Sequence, residues 1–206
     1  MTKAKVVTGD TLAQLDTTGP LPQKYQARHV PNNEPAELIA DEDTELLRPF
    51  VRQEVDLSVS SSPVSHPRSG QLLPIGLIFE RLQSLIGKSF IDSGIDQERN
   101  RGAALHQLVC EHLGYASYQD DGQFPDVRHQ LLEVKLQTSP TIDLGLVCPD
   151  SETPLDVPMI QGQQIRHCDV RYALFYANTD GSTVTLTNFY LTPGVTFFSR
   201  FPQFQG

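Results

Sequence analysis

The segment FPDVRHQLLEVKLQ, residues 124–137, sets two carboxylates and a lysine where they can act together. In an extended strand successive side chains point to opposite faces. Leu132, Val134 and Leu136 therefore turn one way, toward a core, while Leu131, Glu133, Lys135 and Gln137 turn the other way. Asp126 and Glu133 are symmetric about a short loop centred on His129-Gln130. Paired as an antiparallel hairpin, the two arms put Asp126 directly across from Glu133, with Cβ atoms about 4.5–5.5 Å apart. Two carboxylates that close repel unless positive charge lies between them. A divalent cation with oxygen ligands satisfies both, and Lys135 adds charge beside it. The combination suits phosphodiester hydrolysis. A bound Mg²⁺ polarises the scissile phosphate and lowers the pKa of its water; a neighbouring lysine orients or helps deprotonate that water and stabilises the developing negative charge. The competing reading of the same residues is an amphipathic surface hairpin with a cross-strand ion pair.

The surrounding pattern predicts the elements that hold this segment. PIGLIFERLQSLIG, residues 74–87, has proline at a helix start, apolar residues at helical spacing and Gly87 as a stop. A second helix is expected to begin after Asp96 and to run through QERNRGAALHQLVCEHL, ending before Gly114. Leu105, Leu108, Val109 and Leu113 form its buried stripe. The period then shifts to strands: YASYQ (115–119), a DDG turn, FPDVR (124–128) and LLEVKLQ (131–137). VRYALFYA (170–177) is a nearly continuous apolar run, expected for a strand buried on both faces. NTDGS then turns the chain into the alternating TVTLTNFYL (183–191), which predicts a hairpin. Helix, strands, a crossover and two more strands together predict an α/β domain with a mixed sheet.

Residues 1–70 are rich in Pro, Ser, Thr and acids and predict an irregular or partly helical amino-terminal arm, with a short helix over 38–55 broken at Pro49. Residues 58–71 read as a linker or exposed loop. Residues 71–206 are then the domain that carries the chemistry.

Pro125-Asp126 followed by Glu133-Val134-Lys135, after an amphipathic helix and before a buried strand, resembles the PD-(D/E)xK nuclease superfamily, to which most type II restriction endonucleases belong. The resemblance covers about residues 95–178. It implies a restriction-endonuclease-like α/β core, a central mixed β-sheet flanked by helices. It also implies Asp126 and Glu133 as metal ligands, Lys135 as the catalytic lysine and Mg²⁺ as cofactor. The activity implied is sequence-specific cleavage of double-stranded DNA, carried out by a homodimer that cuts both strands of a symmetric site. Family members often add an acid from the first helix. At 100° per residue Glu98 lies about 20° from Leu105 on the inward stripe, which makes it the candidate third metal ligand. Gln137, on the Lys135 face, and Gln164 and Arg166, in the crossover, are candidate DNA contacts, with groups suited to base edges and phosphates. Asp143 is a further candidate acid. The crossover departs from the family, which usually carries a helix there: Pro140, Pro149, Pro154 and Pro158 leave room only for a short one. Two other readings stand beside this one: a repair or recombination nuclease of the same fold, and a catalytically silent DNA-binding module.

Composition narrows the partners. The net charge is −9, with 7 basic and 10 acidic residues in the first 70 and 9 and 15 in the rest, so bulk positive charge cannot hold nucleic acid. Three widely spaced cysteines without CxxC or zinc-ligand spacing predict reduced thiols. No apolar run reaches the ~20 residues of a membrane span, and the amino terminus lacks a secretory pattern. These features predict a soluble cytoplasmic protein. The chain has neither a GxxxxGK[ST] nor a GxGxxG loop, and so no nucleotide cofactor is expected.

Overall fold

The computed structural model describes residues 24–60, 62–92 and 97–204, without the side chains of residues 60 and 97–99. The centre is a mixed five-stranded sheet. Its spine is the hairpin of β6 (Arg171–Thr179) and β7 (Thr183–Pro193), antiparallel as the NTDGS turn predicts. β4 (Leu132–Gln137) lies parallel to β6 on its outer side. Along the far side of β7, β3 (Ser89–Ile91) runs antiparallel to its start and β2 (Ala36–Leu38) parallel to its end. A second sheet has the order β5-β1-β8: β5 (Thr141–Gly145), β1 (Tyr25–Arg28) and β8 (Gln203–Phe204).

The strand periodicity sorts two cores onto the two faces of the central sheet. Ala173, Phe175 and Ala177 of β6 and Leu132 of β4 face a cluster built with α2 (Ile75–Leu82) and α3 (Gln97–Leu113). Tyr172, Leu174 and Tyr176 face the second cluster, which takes in Ala27, Ile142, Phe197 and Phe201. Burial on both faces is why residues 170–177 read as an unbroken apolar run. The mixed α/β class with helices flanking a mixed sheet is thus present. Among the described residues no helix is long and apolar enough to cross a membrane.

Several expected elements take other forms. Residues 115–119 and 124–128 are not strands; the second is reduced to a single antiparallel bridge, Val127 to Leu132. Asp120 and Asp121 accept the amides of Gly122 and Gln123, local bonds that compete with a ladder, and Pro125 has no N–H to give one. The helix expected within 38–55 is a turn followed by one 3₁₀ turn, Arg48–Phe50, with Pro49 at its start rather than at a break. The segment expected as a linker begins in a short helix, α1 (Leu57–Ser60), and lies against the candidate site: the Pro63 carbonyl accepts His129 N–H at 3.0 Å. More widely, residues 24–70 supply β1, β2 and the buried Leu47 and Phe50. The crossover forms β5 and a 3₁₀ turn, His167–Asp169, with no α-helix. Its carbonyls press so closely on the end of β7 that a Cβ on Gly194 would lie 2.2 Å from the Pro149 oxygen. A last short helix, α4 (Phe197–Arg200), precedes β8.

Candidate metal centre

β4 alternates as its sequence requires. Leu132, Val134 and Leu136 pack toward α2 and α3, leaving Glu133 and Lys135 on the opposite face, in register with Tyr172 and Leu174 of β6. The chain enters β4 through one 3₁₀ turn, Arg128–Gln130, and through Leu131, whose φ of +50° is left-handed. A branched apolar residue holds that conformation at a cost of about 1–2 kcal/mol, here offset by a side chain that is wholly buried in the second cluster. The turn brings Val127 opposite Leu132, with both backbone bonds made (2.9 and 3.2 Å). One step outward, Asp126 therefore stands across from Glu133, the pairing that symmetry about His129-Gln130 predicts.

Side chains complete what the ladder leaves out. The Asp126 amide donates to Glu133 Oε2 (3.3 Å), and Asp126 Oδ2 accepts the Val134 amide (2.9 Å) on the unpaired edge of β4. Lys135 Nζ lies 3.2 Å from Glu133 Oε1. Burial pushes the Glu133 carboxyl up to about 7, helped by the Asp126 charge and only partly opposed by Lys135. Asp126 is also raised, first by burial; the Val134 amide and Lys135 pull the other way. Two buried carboxyl groups whose pKa values both lie above the ordinary carboxylate value, Glu133 raised by the Asp126 charge as well as by burial, are a site short of positive charge.

The donor set fits a hard divalent cation bound by few protein ligands. Mg²⁺ typically takes one or two carboxylates and keeps several waters. Among the described residues no three His, Cys, Asp or Glu side chains form a ready cage, so the candidate centre is the Asp126–Glu133 pair with Lys135 beside it. Asp126 borders a cavity of about 340 Å³ between α3 and the β4 edge, together with Asp120, His106 and Gly102. Glu133 does not line this cavity; its side chain is on the opposite face of β4, 8% exposed.

The other sequence candidates are dispersed. The Glu98 side chain is outside the described residues; α3 itself packs on the Val134 face of β4, the face opposite Glu133. Gln137 is half-buried in line with Lys135 and borders a second cavity with Thr138 and Asp143. Asp143 accepts the amide of Gln26 across β1–β5 (2.7 Å). Gln164 and Arg166 are each engaged in bonds within the crossover. The Gln164 amide donates to the carbonyls of Leu155 and Ile165 (both 3.0 Å), and the Arg166 guanidinium is held by the buried Asp169 (3.1 Å) and by Glu152 (3.4 Å). A proline-rich crossover without a helix needs such side-chain bonds to satisfy its backbone.

What sequence reasoning missed is the frame behind the turn. Arg171, wholly buried at the start of β6, donates to Asp43 Oδ1 (2.6 Å) and to the Gln130 carbonyl (2.9 Å). Asp43 Oδ2 accepts the amide of Ile75, at the head of α2 (3.0 Å). His129 contacts Tyr115 Oη (2.8 Å) through Nδ1 and Gln71 Oε1 (3.1 Å) through Nε2. Burial and then the Arg68 charge push the imidazole down to about 4. A signal was available: one arginine opening an apolar strand requires a buried carboxylate partner.

Comparison with protein-family models, with curated proteins and with solved structures finds no match for this chain.

Proposed function

We propose that this chain is a divalent-cation-dependent phosphodiesterase of the PD-(D/E)xK kind, a Mg²⁺-dependent endonuclease acting on double-stranded DNA in the manner of a type II restriction enzyme. The observation that carries the reading is the apposition of Asp126 and Glu133 across a closed turn, with Lys135 Nζ 3.2 Å from Glu133. A cation between the carboxylates would supply Lewis-acid activation of the phosphate and of a bound water. Asp126 and Glu133 would bind and orient it. Lys135 offers positive charge to the oxyanion that grows as water adds to phosphorus and the P–O3′ bond breaks; the leaving oxygen takes up a proton. Cutting both strands of a symmetric site calls for two copies of the chain.

The test is cleavage of plasmid DNA by the purified chain with Mg²⁺ and with EDTA. Discrete fragments support sequence-specific cutting, and preference for branched substrates would favour the repair or recombination alternative. Lys135→Ala and Asp126→Ala are each expected to lower the rate about 10²-fold or more. No Mg²⁺-dependent cleavage by the parent chain, or undiminished cleavage by either variant, would sink the assignment. The burial of Glu133 and its ion pair with Lys135 favour one second reading, a catalytically silent DNA-binding module. Calorimetric titration separates the two: Mg²⁺ or Mn²⁺ binding that disappears in Glu133→Ala supports a working site.

A further inference from the structure

The backbone alone does not determine where Asp126 stands. A single bridge, Val127 to Leu132, is all the ladder the two arms share, and residues 115–125 have no strand partner. A two-residue pairing is marginal by itself. Closure of the Asp126–Glu133 gap must therefore be imposed on the turn from outside.

Gln130 is where that happens. Its side chain is fully buried with every polar group engaged: Oε1 accepts the Leu73 amide (2.8 Å), while Nε2 donates to the Gln71 carbonyl (2.8 Å) and meets His129 Nδ1 (3.1 Å). The two neighbours orient the amide. A backbone N–H must meet the oxygen and a backbone carbonyl the nitrogen, so the flipped amide would put donor on donor and acceptor on acceptor. With two donors aimed at Nδ1, His129 carries its hydrogen on Nε2. Behind the turn, Arg171 grips the Gln130 carbonyl and is itself held by Asp43. The turn is thereby tied to the chain entering α2 and to the first residue of β6.

We propose that Gln130 is the positioning residue of the candidate metal centre, its buried amide holding the Arg128–Gln130 turn at the closure that sets Asp126 against Glu133. The inference deepens the cation-site reading and rests on it. Gln130 touches neither substrate nor cation; it acts through the turn.

Two readouts on the full chain test this. The first needs no metal: hydrogen exchange of the Val134 amide, whose acceptor is Asp126 Oδ2, compared with the Phe175 amide at the centre of the sheet. Gln130→Met, which keeps the length but loses the amide, should speed Val134 exchange about tenfold more than Phe175 exchange, since a local opening moves one and global unfolding moves both. The second is Mn²⁺ affinity by calorimetry, expected to fall about tenfold, the response typical of an altered outer partner. Tyr115→Phe removes the hydroxyl that meets His129 Nδ1 and the Gln130 side chain and should change both readouts in the same direction by less; it decides the matter should Gln130→Met not fold. Ile78→Val, a buried site in the α2 core, should leave the Val134-to-Phe175 ratio at the parent value. Equal acceleration of Val134 and Phe175 in Gln130→Met, or an unchanged ratio in both turn variants, would overturn the proposal. Absent Mn²⁺ binding in the parent chain would instead overturn the cation-site reading and with it the role of Gln130 in a metal centre, the exchange ratio still reporting whether Gln130 holds the turn.

Discussion

The protonation of Glu133 gives the candidate centre a signature that stability measurements can read. Its folded-state value, about 7, lies above the ordinary 4.5, so between those limits the folded chain keeps a proton that the unfolded chain has released. Stability of the metal-free protein should therefore be fully supported by this group at low pH and fall as pH rises from about 4.5 through about 7. Chemical unfolding in EDTA across that range checks the sign, and Glu133→Gln should flatten the dependence. A cation that replaces the proton reverses the trend, so Mg²⁺ or Mn²⁺ should raise the thermal midpoint most at and above pH 7. A midpoint indifferent to cation at every pH would speak for the silent module.

At the scale of elements, the joints between segments hold the site. Arg171 and Asp43 form a buried pair, 2.6 Å apart, that joins the β6 start to the amino-terminal third of the chain. Removing one partner leaves the other charge buried and alone, so Asp43→Ala and Arg171→Ala should each cost about 3–5 kcal/mol in urea unfolding. The crossover is docked just as tightly. With backbone oxygens 2.2 and 3.0 Å from where its Cβ would be, Gly194→Ala cannot be absorbed by a side-chain swing and should cost about 1–3 kcal/mol. These joints were only partly legible beforehand. The helix at 97–113, the strand at 132–137 and the β6–β7 hairpin follow from apolar period and turn residues, because those signals are local. The strands expected at 115–119 and 124–128 failed because side-chain acceptors at Asp120 and Asp121 and the missing N–H of Pro125 override weak β patterns. The bonds of Gln164 and Arg166 to Leu155, Ile165 and Asp169 were not legible, because composition cannot reveal which groups lie within their reach.

For the whole molecule, two expectations follow from integration and from charge. The amino-terminal residues from Tyr25 onward contribute strands to both sheets, and Phe50 is buried in the second cluster. Unfolding should therefore be one cooperative transition in which secondary-structure and tyrosine signals coincide, and Phe50→Ala should lower its free energy by about 3–5 kcal/mol. A net charge of −9 repels a polyanion, so DNA affinity should depend on a divalent cation. Fluorescence anisotropy with a labelled duplex should show retention in Ca²⁺ and loss in EDTA. With few phosphate contacts, log K against log salt should have a slope of about −3 or shallower.

The residues alone pointed to the chemistry proposed for the candidate centre and to the register of β4. Period two along 131–137 put Glu133 and Lys135 on one face, a consequence of strand geometry that needs no tertiary knowledge; symmetry about His129-Gln130 pointed to Asp126 opposite Glu133, though without the strand expected at 124–128. Tertiary structure decided how that register is held and what surrounds it: a turn gripped by Gln130, Arg171 and Asp43, the burial that lifts Glu133, and the docking of the first 70 residues' described part. Those depend on contacts between Asp43 and Arg171, or Gln71 and Gln130, separated by 128 and 59 positions in the chain. No local pattern encodes a partner at that distance; only the packed chain brings a buried charge or amide to the group that satisfies it.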